Sequence, residues 1–123
     1  MRLIFVAIAA GALASSASAT PVSTFLAKAD ALKSRGPLAL FSIDLKLLTG
    51  QVKSDFAQLR AERLAAQAAH RRAAFCPPAS GGIKLSDEDI MGAMQAVPSQ
   101  RRTQTDTRDA LRAYMARRFP CRA

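Results

Sequence analysis

The chain has 123 residues and a formal net charge of +9, from 18 Lys and Arg against 9 Asp and Glu, with one His and two Cys. That length allows one small domain, and so few His and Cys exclude zinc-ligand spacing. The basic balance favours anionic partners. The basic residues nevertheless lack interleaved aromatics and any RNA-binding signature, so nucleic acid is not an expected partner.

The first segment reads as an export signal. Arg2 supplies a positive n-region, residues 3 to 13 are apolar, and Ala17-Ser18-Ala19 is a small-x-small cleavage site. Residues 1–19 are therefore expected to be removed after Ala19, leaving a single helical domain over 20–123 in the periplasm. The apolar run is shorter than the roughly 20 residues a membrane span needs. Of the cations only Arg2 is lost, which leaves 17 against 9 acids, a mature charge of +8.

The remaining pattern is helical throughout, with no alternating strand period. Ser23 is expected to cap a first helix with Phe25, Leu26, Ala29 and Leu32 on one stripe, ended by Gly36-Pro37. A second helix is expected from near Pro37. Its positions Leu38, Phe41, Leu45, Leu48 and Val52 form one stripe, and Leu40, Ile43 and Leu47 a second. Two stripes predict burial on more than one side and hence the central helix of the core, with Gly50 marking a bend or close packing point. Residues 60–74, rich in Ala, Arg and Gln with Leu64 as the one large apolar residue, predict an exposed extension or fraying end, or else a partner-facing helix on which Arg60, Arg63, Arg71 and Arg72 concentrate charge.

Pro77-Pro78 and Gly81-Gly82 break the chain. Ser86 followed by Asp87, Glu88 and Asp89 reads as a capped helix start rather than a metal site, because Ile90, Met91, Met94 and Val97 continue as an apolar stripe. Pro98 closes this third helix, and residues 99–105 form a basic link. A last helix from Thr105 or Thr107 is expected to bury Leu111, Tyr114 or Met115, and Phe119, and to stop at Pro120.

Cys76 and Cys121, an even pair in an exported chain, read as one disulfide. Closing 45 positions stabilises by about 4 kcal/mol in the chain-entropy model. The fold class expected is all-α: a small bundle of about four helices, with the bridge stapling the C-terminal helical hairpin. No enzyme is expected. His70 stands alone among Ala and Arg, no Gly-x-Ser-x-Gly turn exists, and the carboxylates Asp44, Asp55 and Asp87 to Asp89 read as solvent-facing or capping groups. No cofactor or metal is implied.

The phrases Phe75-Cys76-Pro77-Pro78, the helix from Leu85 to Met94, Pro98, and Ala110-Leu111 through Phe119-Pro120-Cys121 resemble the type VI secretion amidase immunity (Tai-type) family over the C-terminal part of the chain. The resemblance implies a small exported helical antidote, often dimeric, that binds a toxic peptidoglycan amidase and blocks its cleft. The chain departs from the family pattern in residues 41–56, which hold neither the Cys nor the Tyr usual there, only Gly50. The alternative is a periplasmic structural protein whose basic face meets anionic envelope components without a toxin partner. For an antidote, residues 77 to 85, including Gly81 and Gly82, and the link at Arg101 and Arg102 are the expected contact loops, since a stapled hairpin holds them with little ordering entropy left to lose.

Overall fold

The computed structural model describes residues 19–78 and 83–122. Four α-helices carry the fold: α1 Val22–Arg35, α2 Ile43–Ala68, α3 Asp87–Gln95 and α4 Thr107–Arg118. Short 3-10 turns at Gly36–Phe41 and Ser99–Arg101 join α1 to α2 and α3 to α4. Among the described residues the one pairing of extended backbone is an isolated bridge between Pro21 and Asp106, so the chain is an all-α bundle.

Each helix start has an identifiable partner for its free N–H groups. Ser42 Oγ accepts from Asp44 N, Asp106 from Asp109 N, and Ser86 and Asp89 form a complete capping box. The predicted cap at Ser23 is replaced. Pro21 occupies the cap position of α1 without a side-chain bond, and the amides of Val22 and Ser23 donate to the carbonyls of Thr105 (2.8 Å) and Arg102 (3.0 Å). Backbone from the α3–α4 link does what a side chain was expected to do.

Two boundaries also move. The segment from Gly36 winds as a 3-10 turn, and extended backbone at Ser42 (ψ 140°) delays α2 to Ile43. Gly50 does not interrupt α2 and is not a close packing point: the helix runs from Ile43 to Ala68, and a Cβ at Gly50 would meet open space. Nor does α2 fray. It closes after Ala68 in a Schellman turn, with Arg71 N donating to Ala66 O (2.8 Å), His70 N to Gln67 O (3.1 Å), and His70 taking the left-handed position at φ 53°.

The buried apolar residues form one cluster. Val22, Phe25 and Leu32 from α1, Leu48 and Leu59 from α2, Ala93 and Met94 from α3, and Ala110, Leu111 and Met115 from α4 meet there with Phe75. Met115 is the fully buried member of the pair Tyr114/Met115, and Tyr114 turns its hydroxyl to Asp89 Oδ1 (3.0 Å). This contact sets the start of α3 beside the end of α4, as an antiparallel hairpin requires. Cys76 and Cys121 are disulfide-bonded with Cα atoms 4.9 Å apart, and Cys76 N donates to Phe119 O (2.8 Å). The bridge thus holds the segment between α2 and α3 onto the end of α4.

Candidate functional site

The two stripes expected on this helix are not buried at their start. Leu38 and Phe41 of the first stripe and Leu40, Ile43 and Leu47 of the second are 75%, 85%, 71%, 74% and 55% exposed, with Leu38, Leu40 and Phe41 in the 3-10 turn before α2, so the expectation of a helix covered on two sides is corrected. The reason is the number of partners. α1 and α4 pack on the side of α2 that carries Leu48 and Leu59, and no other described helix packs on α2. Exposed large apolar side chains at five of ten successive positions give this stretch, the ridge, an apolar character unusual for a protein surface. Beside it on α2, Leu45, Leu48, Val52 and Phe56 line a cavity of about 480 Å³ whose other walls include Leu32 of α1 and Met91 of α3. Cations stand around the ridge: Lys33 and Arg35 end α1, Lys46 follows on α2, and Arg35 reaches Asp44 at 3.7 Å.

A second surface is basic. A cavity of about 330 Å³ lies between the last turns of α2 and the segment leading to Cys76, with Arg63, Arg71 and Arg72 among its walls. The Arg63 guanidinium sits over the Phe75 ring, 5.5 Å from its centre, and Arg72 donates to Cys121 O (2.9 Å). Across α2, Arg112 forks onto Glu62 with bonds of 3.0 and 2.7 Å and also meets Asp109.

The predicted contact arginines divide. Arg101 is exposed at the mouth of a cavity of about 180 Å³ between α3 and α4. Arg102 turns inward: its Nε donates to Val97 O (2.9 Å) and a terminal nitrogen to Gln95 O (3.0 Å), satisfying carbonyls left free at the end of α3. It is a helix-closing group first. Gly81 and Gly82 lie outside the described residues.

One carboxylate expected at the surface is in the interior. Asp55 is 3% exposed, accepting from Thr107 Oγ1 (2.6 Å) and from Gln51 Nε2 (3.0 Å), and Gln51 Oε1 accepts from the Thr20 hydroxyl (2.8 Å). Burial pushes its carboxyl above the ordinary range, opposed by these hydrogen bonds. The signal was present in the spacing: Leu48, Val52, Asp55 and Leu59 continue the buried stripe in steps of four, three and four. The acids at the start of α3 serve the helix, with Asp89 bonded to Ser86, Tyr114 and Arg118.

Among the described residues no group of three or more His, Cys, Asp or Glu is placed to hold a metal ion, and no helix is long and apolar enough to cross a membrane. Comparison with protein-family models, with curated proteins and with solved structures finds no match for this chain.

Proposed function

We propose that the chain is an exported periplasmic antidote that binds a peptidoglycan amidase, and that the ridge of Leu38, Leu40, Phe41, Ile43 and Leu47 is its contact surface. The observation carrying this reading is the exposure of that ridge on a disulfide-stapled bundle. A few anchor side chains seated in a partner's pockets carry most of the energy of a protein interface, and an aromatic or aliphatic group can serve as such an anchor. Phe41, at 85% exposure, is the outermost of them. The flanking Lys33, Arg35 and Lys46 fit a partner whose cleft has an acidic rim, which speeds encounter and sets orientation. The resemblance in the Cys76-to-Cys121 frame supports the class of partner. This reading moves the contact away from Arg102, which is occupied in closing α3.

The test is inhibition of peptidoglycan hydrolysis by the amidase encoded beside this chain, using the mature protein. The native chain is expected to suppress hydrolysis, and the double variant L40D/F41D to bind at least about a hundredfold more weakly at unchanged melting temperature, a loss of about 1.4 kcal/mol per tenfold. Undiminished hydrolysis with the native chain would sink the antidote, and undiminished binding by L40D/F41D would sink the ridge.

A second reading rests on the cavity walled by Arg63, Arg71 and Arg72. In it the protein is an envelope-interaction protein that meets anionic headgroups or polysaccharide. Binding to anionic vesicles that collapses as salt rises, and that R71A/R72A removes, would favour it over the antidote.

A further inference from the structure

Thr20 is held from both sides of its side chain. Its carbonyl accepts from Thr107 N (2.9 Å) and its hydroxyl donates to Gln51 Oε1 (2.8 Å), while the next residue, Pro21, pairs with Asp106. The same Gln51 amide donates to Asp55 Oδ1 (3.0 Å), so one side chain links the Thr20 hydroxyl to the buried carboxylate. The Thr20 nitrogen is three covalent bonds from that hydroxyl oxygen. Ala19, on the other side of the same peptide bond, lines a cavity of about 10 Å³ with Gln51, Asp55, Asp106, Thr107 and Arg108.

The charges around this small cavity do not balance. Asp55 from α2 and Asp106 at the start of α4 are both acids, and Arg108 is the cation among its walls. The Nε of Arg108 is buried without a hydrogen-bond partner. Burial disfavours the charge on Asp55, and the neighbouring Asp106 carboxylate adds to this. A second cation at this point would relieve both effects.

We propose that cleavage after Ala19 supplies that cation: the new α-ammonium group of Thr20 pairs with Asp55 and Asp106, so that removing the leader completes a charge cluster joining the N-terminus, α2 and α4. The inference rests on the proposed export and cleavage. Before cleavage the same nitrogen is an uncharged amide and the cluster carries an unmatched negative charge. Afterwards the bundle holds its own N-terminus by an ion pair as well as by backbone hydrogen bonds. An ammonium stabilised by carboxylates has a raised pKa in the folded chain. Its contribution is therefore complete below the ordinary α-amino value, near ~8, and is lost as pH rises through the folded value.

The experiment compares a chain starting at Thr20 with one starting at Ala17, which has the same net charge but carries its ammonium three residues away. The Thr20 chain is expected to melt about 5 °C higher at pH 7. Its amine is expected to titrate above that of the Ala17 chain by NMR, and the melting gap to close in alkali. Asp55→Asn disturbs the bonds to Thr107 and Gln51 in both chains, and is expected to lower the melting temperature of the Thr20 chain further, so that the gap between the two closes. Equal melting with equal amine titration overturns the pairing, as does a gap that survives D55N. Should D55N fail to fold, the amine titration of the two parent chains decides alone. The intact mass of the exported protein reads the cleavage separately: a start other than Thr20 overturns the cleavage site and the pair with it, absence of export overturns the export reading, and a correct start with an ordinary amine overturns only the pair.

Discussion

Asp89 does three things with one carboxylate. It accepts from Ser86 N (2.9 Å), accepts from the Tyr114 hydroxyl, and faces Arg118 at 3.3 Å, so it closes the start of α3 and ties α3 to α4. The Ser86 backbone bond, with Tyr114 next, holds its carboxyl down from 3.8 to about 2. A depressed pKa stabilises the fold above the unfolded value and loses that contribution as pH falls toward the folded one. Stability is therefore expected to decline between pH 3.8 and about 2 through Asp89, and Asp89→Asn to flatten that part of the profile. Urea unfolding between pH 5 and 2 in both chains checks it. Asp55 has the opposite sign, because burial outweighs its hydrogen bonds. The two aspartates differ in surroundings, not chemistry, and spacing alone distinguished them only in part: the Ser86-to-Asp89 interval announced a capping box, whereas Asp55 stood unread within the stripe of Leu48 and Leu59.

α2 is the element whose sequence and environment diverge most. Its helicity was legible in its periodicity, and so was the apolar face of Leu45, Leu48 and Val52, which pack on the core, whereas Leu38 and Phe41 of the same stripe are exposed. Which of its two apolar stripes would be covered was not, since that depends on how many other helices arrive and on which side they pack. Gly50 shows the same limit. An interior helix glycine suggested a bend or a close contact, yet it stands exposed with room for a methyl group. Gly50→Ala is expected to raise stability by about 0.5–1 kcal/mol, read as a higher urea midpoint at constant m-value. An unchanged or lower midpoint would mean that the residue serves something the free chain does not display. α1 makes the converse point. Without a capping side chain it relies on the carbonyls of Arg102 and Thr105, so its start is fixed by residues roughly eighty positions downstream.

At the scale of the molecule, a small core is supplemented by a covalent bridge and by ties between distant helices. Glu62 and Arg112 join α2 to α4, and the Cys76–Cys121 bond holds the post-α2 segment against the end of α4. With a separation of 45 residues, replacing both cysteines by serine is expected to cost about 2–4 kcal/mol. Urea unfolding of C76S/C121S against the native chain measures this, and the native chain in reductant should match the variant. A loss below about 1 kcal/mol would place the stability in the helical core instead. The ridge at Leu38 to Leu47 belongs to this scale too, because its exposure follows from there being no further helix among the described residues to lay over it.

The helical class, the breaks at Gly36-Pro37 and Pro98, the Ser86 capping box and the pairing of Cys76 with Cys121 all follow from local chemistry. Each depends on residues within a few positions of one another, or on there being two sulfurs and no third. Arrangement in space decided the rest: Asp55 meeting Thr107 in the interior, Arg102 turning onto the end of α3, and five large apolar side chains left facing solvent. Burial belongs to surfaces brought together, and a one-dimensional pattern states which faces are apolar without stating which of them find a partner.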